Sequence, residues 1–225
     1  MLLLAIDTAT PAVTVALHDG STVLAEAGGS DARRHAELLA PAVADVLSRA
    51  GATSSDLTDV AVGTGPGPFT GLRVGLVTGR MTASALGLPL HGVSTLDALA
   101  AQALEDGAVP PGAEFLVATD ARRREVYWAA YRSDGADPVP TRTEGPHVAL
   151  PADVPRDGRP VVGRGAELYA DQLGPALAPL DPSAGALARL VVRRLAAGDD
   201  LSDVEPRYLR RPDVHESAGR KSVLG

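Results

Sequence analysis

The first third of the chain alternates between extended and helical patterns of apolar positions. Residues 2–6 form a short apolar run that ends at Asp7, and residues 12–17 alternate loosely between apolar and polar side chains. The Asp19-Gly20 pair is a hairpin signal, after which residues 22–27 resume an extended pattern. The pattern predicts three strands, with the third antiparallel to the second.

The apolar spacing then changes to that of an amphipathic helix over residues 31–49. The positions that set this period are Leu39, Val43, Val46 and Ala50, and Gly51 is placed as a stop. Further along, short apolar runs predict strands at 60–62 and 90–93, and helical patterns cover 70–86 and 94–104. The predicted order is βββαβαβα, an α/β fold.

The glycine, proline and charge content of residues 105–112 is typical of a linker. We therefore expect a first lobe over 1–105 and a smaller second lobe over 106–215, with a C-terminal segment that can return to the first lobe. Beyond the linker the patterns predict the following elements: a strand pair at 115–119 and 125–131, a strand at 161–163, and helices at 166–173 and 184–197. The proline-rich stretch 134–160 gives no clear pattern, and 216–225 is expected to be a frayed tail.

Composition restricts the function classes. The chain has no cysteine, which removes disulfides and thiolate metal sites, and a net charge of −7, which disfavours nucleic-acid binding through the overall field. The only lysine is Lys221, so a lysine-dependent phosphate loop is excluded. The opening apolar run is too short for a signal peptide or a membrane span, and we expect a cytoplasmic protein without a membrane partner.

A glycine-rich loop at 63–71 follows a predicted strand and enters a helix. Its glycines can expose backbone N–H groups to an anion near a helix N-terminus, which makes Gly65, Gly67 and Thr70 candidate phosphate contacts. Asp7, at the end of the first strand, is a fourth candidate for a nucleotide or magnesium site. The simpler alternatives are a closely packed turn and an aspartate that caps it, and spacing alone favours them.

Small residues recur at every fourth position of the helix that follows the loop. They are Gly71, Gly75, Gly79, Ala83 and Gly87. Glycine inside a helix costs ~1 kcal/mol relative to alanine, so the series requires a close approach by a neighbour. That neighbour can be a helix of a partner or the protein's own sheet, and the sequence does not decide between them.

The sequence also contains a candidate metal ligand, His35, and two clusters of arginines. Leu39 stands four residues after His35, where a second imidazole would be needed for a helical metal pair, so no metal site is predicted. The arginines cluster at 122–124 and at Arg207, Arg210 and Arg211. We interpret these clusters first as solvated surface, and contact with RNA is the more specific alternative.

Four motifs together resemble the TsaB (YeaZ) family. They are residues 4–10 (LAIDTAT), 65–75 (GPGPFTGLRVG), 120–127 (DARRREVY) and 206–210 (PRYLR), in the order found in that family. The resemblance spans most of the chain and implies an actin-like ATPase fold of two related lobes. Pro68 and Arg124 depart from the family pattern, which affects local turn geometry.

The resemblance also implies a role in making N6-threonylcarbamoyladenosine at position 37 of tRNAs that decode ANN codons. In that family a paralogue, TsaD, binds the metal and performs the transfer, while the TsaB subunit docks on it without catalysis. Carried over to this chain, the contact involves His35, Leu39, Val43 and Val46 of the first helix and Gly71, Gly75, Gly79 and Ala83 of the second. A TsaE-type ATPase subunit is a further implied partner, with ATP or ADP and the metal on the partner or at the interface.

The residues are also compatible with other functions. A homodimer through the same surface is compatible with the sequence, and tRNA contact is expected to be indirect or weak. Asp7 and the glycine loop are also compatible with an independent actin-like ATPase or phosphotransferase. A metallopeptidase would require ligands that the sequence lacks.

Overall fold

The computed structural model describes residues 1–30, 34–133 and 139–210. The first lobe is built on a five-stranded sheet with the order β3-β2-β1-β4-β5. Its strands are β1 Leu3–Asp7, β2 Ala12–His18, β3 Val23–Ser30, β4 Asp59–Gly63 and β5 Leu90–Val93. Its helices are α1 His35–Arg49, α2 Phe69–Leu86 and α3 Thr95–Glu105. The observed order confirms the predicted βββαβαβα.

The β2–β3 hairpin turns at Asp19, as the sequence predicted. The Asp19 carboxylate accepts hydrogen bonds from the Ser21 and Thr22 N–H groups, and β2 pairs antiparallel with β3. By contrast, β4 and β5 lie parallel to β1, because a helix crosses over before each of them. The carboxyl ends of β1 and β4 therefore meet at one edge of the sheet.

The second lobe repeats this path. Its strands are β6 Glu114–Asp120, β7 Val126–Arg132, β8 Thr141–Ala149, β9 Val161–Val162 and β10 Ala176–Leu177. Their order is β10-β9-β6-β7-β8, so the first strand is again central, with an antiparallel pair on one side and a parallel pair on the other. Short helices α4 Arg164–Leu168 and α5 Ala170–Leu173 follow β9. The two sheets are thus built on one topology.

The second lobe contains two strands that the sequence did not predict, β8 and β10, and one helix that differs from its prediction. The proline-rich stretch contains β8, which pairs with β7 at the edge of the sheet, where a proline is tolerated. The helix predicted at 166–173 is two pieces that break at Tyr169, whose backbone leaves the helical region. The predicted tail at 216–225 lies outside the described residues.

The last helix, α6 Ala184–Ala196, leaves the second lobe and packs on the first sheet beside α3. After it, residues 201–210, termed here the C-terminal segment, run along the first lobe. The Gly92 N–H donates to the Leu201 carbonyl (2.8 Å) and the Arg207 N–H donates to the Thr64 carbonyl (2.9 Å). At its end, Arg210 donates to the Ala121 carbonyl of the second lobe (3.2 Å). The segment therefore contacts both lobes.

Within the described ranges, no helix combines the length and the apolar character that crossing a bilayer requires.

Candidate functional site

Asp7 ends β1 at the edge of the sheet where the carboxyl ends of two parallel strands meet. It is buried, and its carboxylate accepts hydrogen bonds from the Ala9 N–H and the Thr95 hydroxyl, both at 2.8 Å. Burial raises the Asp7 pKa to about 6, against the lowering effect of those two hydrogen bonds. A Cβ on Gly63 would come within 1.9 Å of an Asp7 carboxylate oxygen, so only glycine fits beside it.

The glycine-rich loop packs against the turn that follows β1. A Cβ on Gly67 would lie 2.2 Å from the Ala9 carbonyl oxygen, and Gly65 adopts a φ of +84° that favours glycine. The Gly65 carbonyl accepts a hydrogen bond from the Ser94 hydroxyl (3.0 Å), which fixes the loop to the start of α3. Thr70 is exposed in the first turn of α2.

These contacts test whether the residues fit a nucleotide, as the fold class would imply. Both oxygens of Asp7 have partners inside the lobe, and Gly65 and Gly67 are buried by their neighbours. In this arrangement Asp7, Gly65 and Gly67 offer no exposed group to a phosphate or a magnesium ion, whereas Thr70, the fourth candidate, is exposed. Internal packing, the simpler alternative from the sequence, accounts for all three residues.

The small-residue series of α2 faces the protein's own sheet. Thr8 lies between two of its members, because its hydroxyl donates to the Gly71 carbonyl (2.7 Å) and accepts from the Gly75 N–H (2.8 Å). Further along the helix, a Cβ on Gly79 would come within 2.3 Å of a Val62 methyl carbon, and Ala83 is also buried. The structure therefore explains Gly71, Gly75, Gly79 and Ala83 by internal packing, one of the two alternatives that the sequence left open, whereas Gly87 is exposed and ends the helix in a left-handed conformation (φ +65°).

The α1 residues predicted to contact a partner are also turned largely inward. The His35 Nε2 lies 2.8 Å from the Thr10 carbonyl oxygen, and Leu39 and Val46 are buried in the core of the first lobe. Val43 is half-buried at the margin of that core. A partner contact through this helix would have to use its exposed flank.

The outer face of α2 carries a different set of side chains, spaced four residues apart. Phe69, Val77 and Met81 have exposed fractions of 43%, 56% and 66%. Between them, the Arg73 guanidinium lies 3.6 Å from the centre of the Phe69 ring. Sequence reasoning missed this face, although its signal was apolar residues offset by half a turn from the small-residue series.

The C-terminal segment borders this outer face. Arg73 donates to the Tyr208 hydroxyl (2.8 Å), the Tyr208 ring packs on Phe69 with centroids 5.2 Å apart, and Arg80 pairs with Glu205 (2.8 Å). A groove of about 370 Å³ lies between α2 and the segment. We call Phe69, Arg73, Val77, Met81 and Tyr208 the outer α2 surface.

The fold and the site together define the class. The repeated sheet topology is that of an actin-like ATPase fold with two related lobes, here with its strand-end aspartate enclosed and with an exposed apolar helix face. Residues 22–142 match the family model described as TsaD: tRNA N6-adenosine threonylcarbamoyltransferase.

Known proteins narrow the class to one family. The chain is 44% identical to an uncharacterized protein of Mycobacterium tuberculosis over 214 residues, which cover 94% of the chain and 92% of that protein. It is 42% identical over 135 residues to the tRNA threonylcarbamoyladenosine biosynthesis protein TsaB of Escherichia coli K12, covering 60% of the chain and 56% of that protein. The solved structure of YeaZ from Pseudomonas aeruginosa aligns with a TM-score of 0.77 and 31% identity, over 92% of this chain and 99% of that one. The chain belongs to the TsaB (YeaZ) family.

Proposed function

We propose that the chain is a non-catalytic partner subunit that binds a TsaD-type transferase and supports it in forming N6-threonylcarbamoyladenosine at position 37 of ANN-decoding tRNAs. It would act in the cytoplasm, with a TsaE-type ATPase subunit in a larger assembly. Family membership supports the pathway, since relatives bear the name of tRNA threonylcarbamoyladenosine biosynthesis proteins.

The observation that carries the pairing role is the outer α2 surface. A monomer gains nothing from three large apolar side chains in line along one exposed helix face, whereas a helix of another protein can cover them. Arg73, Arg80 and the aromatic ring of Tyr208 lie beside these apolar side chains. Arginine and aromatic residues are common at the centres of protein interfaces. The pairing role therefore stands on the exposed face of α2, in place of the buried glycines.

A non-catalytic role is supported by the residues that stand where metal-binding or nucleotide-binding groups would be expected. Leu39 is packed in the core where a second helical histidine would stand, and Asp7 is enclosed by Thr95 and Ala9. Metal and nucleotide would then be bound by the partner, or at the interface with groups that the partner supplies. Without the partner, the same apolar face would favour a homodimer.

Reconstitution tests this proposal. The purified TsaD-type transferase, the ATPase subunit, the enzyme that makes threonylcarbamoyl-adenylate and unmodified tRNA are combined with and without this chain. We expect modification only when the chain is present and a heterodimer with the transferase on a sizing column. Full modification without the chain, or separate elution of the two proteins, would contradict the proposal.

ATP turnover by the isolated chain separates this function from an independent ATPase. We expect none above background. Turnover that Asp7→Ala abolishes would identify an active phosphotransferase instead.

A further inference from the structure

The turn between β6 and β7 contains three consecutive arginines in a left-handed backbone conformation. Arg122, Arg123 and Arg124 have φ angles of 62°, 52° and 65°. The turn is closed by backbone hydrogen bonds between Ala121 and Glu125 and between Glu125 and Arg122, each at 2.9 Å. L-residues with long side chains rarely adopt this conformation, because the Cβ atom crowds the carbonyl oxygen that follows.

Glycine would adopt these angles without strain, and asparagine would adopt them with less strain than arginine. Strained residues persist where the surrounding structure enforces them, and they concentrate at sites where the side chain is used. Three in succession, all of one charged type, therefore raise the question of what the guanidinium groups contact.

The charge and shape of the turn point to an extended anion. All three arginines are exposed, and the Arg122 side chain remains 52% exposed although it pairs with Asp120. Among the residues that the structure describes, Arg124 has no ion-pair partner. The turn therefore places three positive side chains next to one another on an exposed surface. Such a surface suits successive phosphates of a polymer better than one enclosed nucleotide.

The turn is also held beside the outer α2 surface. Arg210 donates to the Ala121 carbonyl and pairs with Glu125, while Tyr208, two residues earlier, packs on Phe69. The C-terminal segment therefore links the arginine turn to the outer α2 surface within three residues, 208–210. With a net charge of −7, the rest of the chain repels a polyanion, which restricts contact to such a local cluster.

We propose that this arginine turn contacts backbone phosphates of the RNA on which the transferase acts. The inference rests on the proposed function, which supplies the RNA and the partner that presents it. Guanidinium groups bind phosphate in a bidentate manner, and each such contact strengthens binding in a salt-dependent way. A direct tRNA contact at Arg122, Arg123 and Arg124 would replace the indirect contact expected from the sequence.

Glycine substitution separates this role from a structural one. In Arg122→Gly/Arg124→Gly the strain and the charge at these two positions are removed together, so the fold is retained or stabilised while phosphate contact is weakened. The probe is an unmodified transcript of an ANN-decoding tRNA, and its affinity for the complex of this chain with the transferase is measured from 0.05 to 0.3 M salt. We expect each lost arginine to weaken binding about fourfold to fivefold near 0.15 M salt and to reduce the salt slope by about one.

Two control variants identify the cause. Asp157→Gly relieves a positive φ (50°) elsewhere in the same lobe without removing a positive charge, and should not weaken RNA binding. Arg124→Lys keeps the charge but loses the planar fork, and should fall between the wild type and Arg124→Gly.

Outcomes for the inference and for the proposed function are distinguishable. If the wild-type chain fails to bind the transferase, the proposed function fails first. If the complex forms and the double glycine variant keeps wild-type RNA affinity and salt slope, the arginine turn does not contact RNA. Loss of complex formation in the double variant would likewise overturn the inference, because it would make the turn part of the protein interface.

Discussion

Gly79 on α2 lies directly against Val62 on β4, at a separation that leaves no room for a methyl group. A Cβ on Gly79 would approach a Val62 methyl carbon to 2.3 Å. Val62 is fully buried and its side chain is β-branched, which restricts its rotation, so it cannot easily move away. The helix and the sheet are therefore closer here than ordinary side chains allow.

Gly79→Ala should destabilise the fold although alanine is the better helix former. We expect a decrease of about 1–3 kcal/mol in the free energy of unfolding, the usual cost of overpacking a core. Urea denaturation measures it. Ala85→Leu, an exposed enlargement on the same helix, should change stability by less than about 0.5 kcal/mol. Equal stability of Gly79→Ala and wild type would contradict the internal role of the glycine series.

Asp7 should make stability fall as pH rises through the mildly acidic range. The pKa of a free aspartate is 3.8, whereas burial raises that of Asp7 to about 6 in the fold, so the folded state binds the proton more tightly. Stability from this group is fully present below pH 4 and is lost as pH rises through 6, by about 3 kcal/mol in total.

The difference between the wild type and Asp7→Asn isolates that effect from other titrating groups. We expect the variant to lack this pH-dependent loss, while Asp171→Asn, at an exposed position, should follow the wild-type curve. Denaturation at pH 4, 5, 6 and 7 measures the profiles. Parallel profiles for wild type and Asp7→Asn would disprove the assignment.

Val77→Asp should prevent pairing without unfolding the chain. The side chain is 56% exposed in the isolated protein, so the fold tolerates a charge there, whereas an interface would bury that charge without a partner. We expect at least a tenfold weaker affinity for the transferase, measured by calorimetry. Leu168→Asp, on an exposed position of the second lobe, is the matched control and should bind as the wild type does.

Gly92→Ala should detach the C-terminal segment. A Cβ at this position would come within 2.1 Å of the Asp203 carbonyl oxygen, and backbone cannot yield as a flexible side chain can. Limited proteolysis should then cut within residues 201–210 faster than in the wild type. Gly29→Ala is the control, since its nearest contact would be an ordinary 3.7 Å to a Leu38 methyl group. An unchanged cleavage rate would show that the segment is held by other contacts.

Arg124→Gly should raise the free energy of unfolding. Relief of the left-handed strain is worth about 1–2 kcal/mol, and the greater freedom of glycine in the unfolded chain offsets about 0.5–1 kcal/mol of it. A net gain of about 0.5–1 kcal/mol is expected in thermal or urea denaturation. A destabilised variant would mean that the arginine side chain contributes to the fold.

The sequence predicted the first lobe well because its signals are local. The period of the apolar residues and the Asp19-Gly20 turn need no knowledge of distant parts of the chain. The second lobe was harder, since β8 owes its place to pairing with β7, and the helix break at Tyr169 leaves no mark in the pattern.

The site was predictable only in part, for a physical reason. Small residues at every fourth position show that one side of α2 approaches something closely, but partner and sheet demand the same spacing. The contacts of Gly79 with Val62 and of Gly71 and Gly75 with Thr8 identify the inner side, and with it the outer one that carries Val77 and Met81.

The C-terminal segment has a mechanical consequence. Many two-lobed enzymes open and close around a substrate by a hinge motion between the lobes. Here the Arg207 N–H donates to the Thr64 carbonyl of the first lobe, and the Arg210 side chain donates to the Ala121 carbonyl of the second. The segment therefore bridges the two lobes. A hinge motion of the lobes would have to break these hydrogen bonds, so the C-terminal segment favours the observed arrangement, to which another protein can bind.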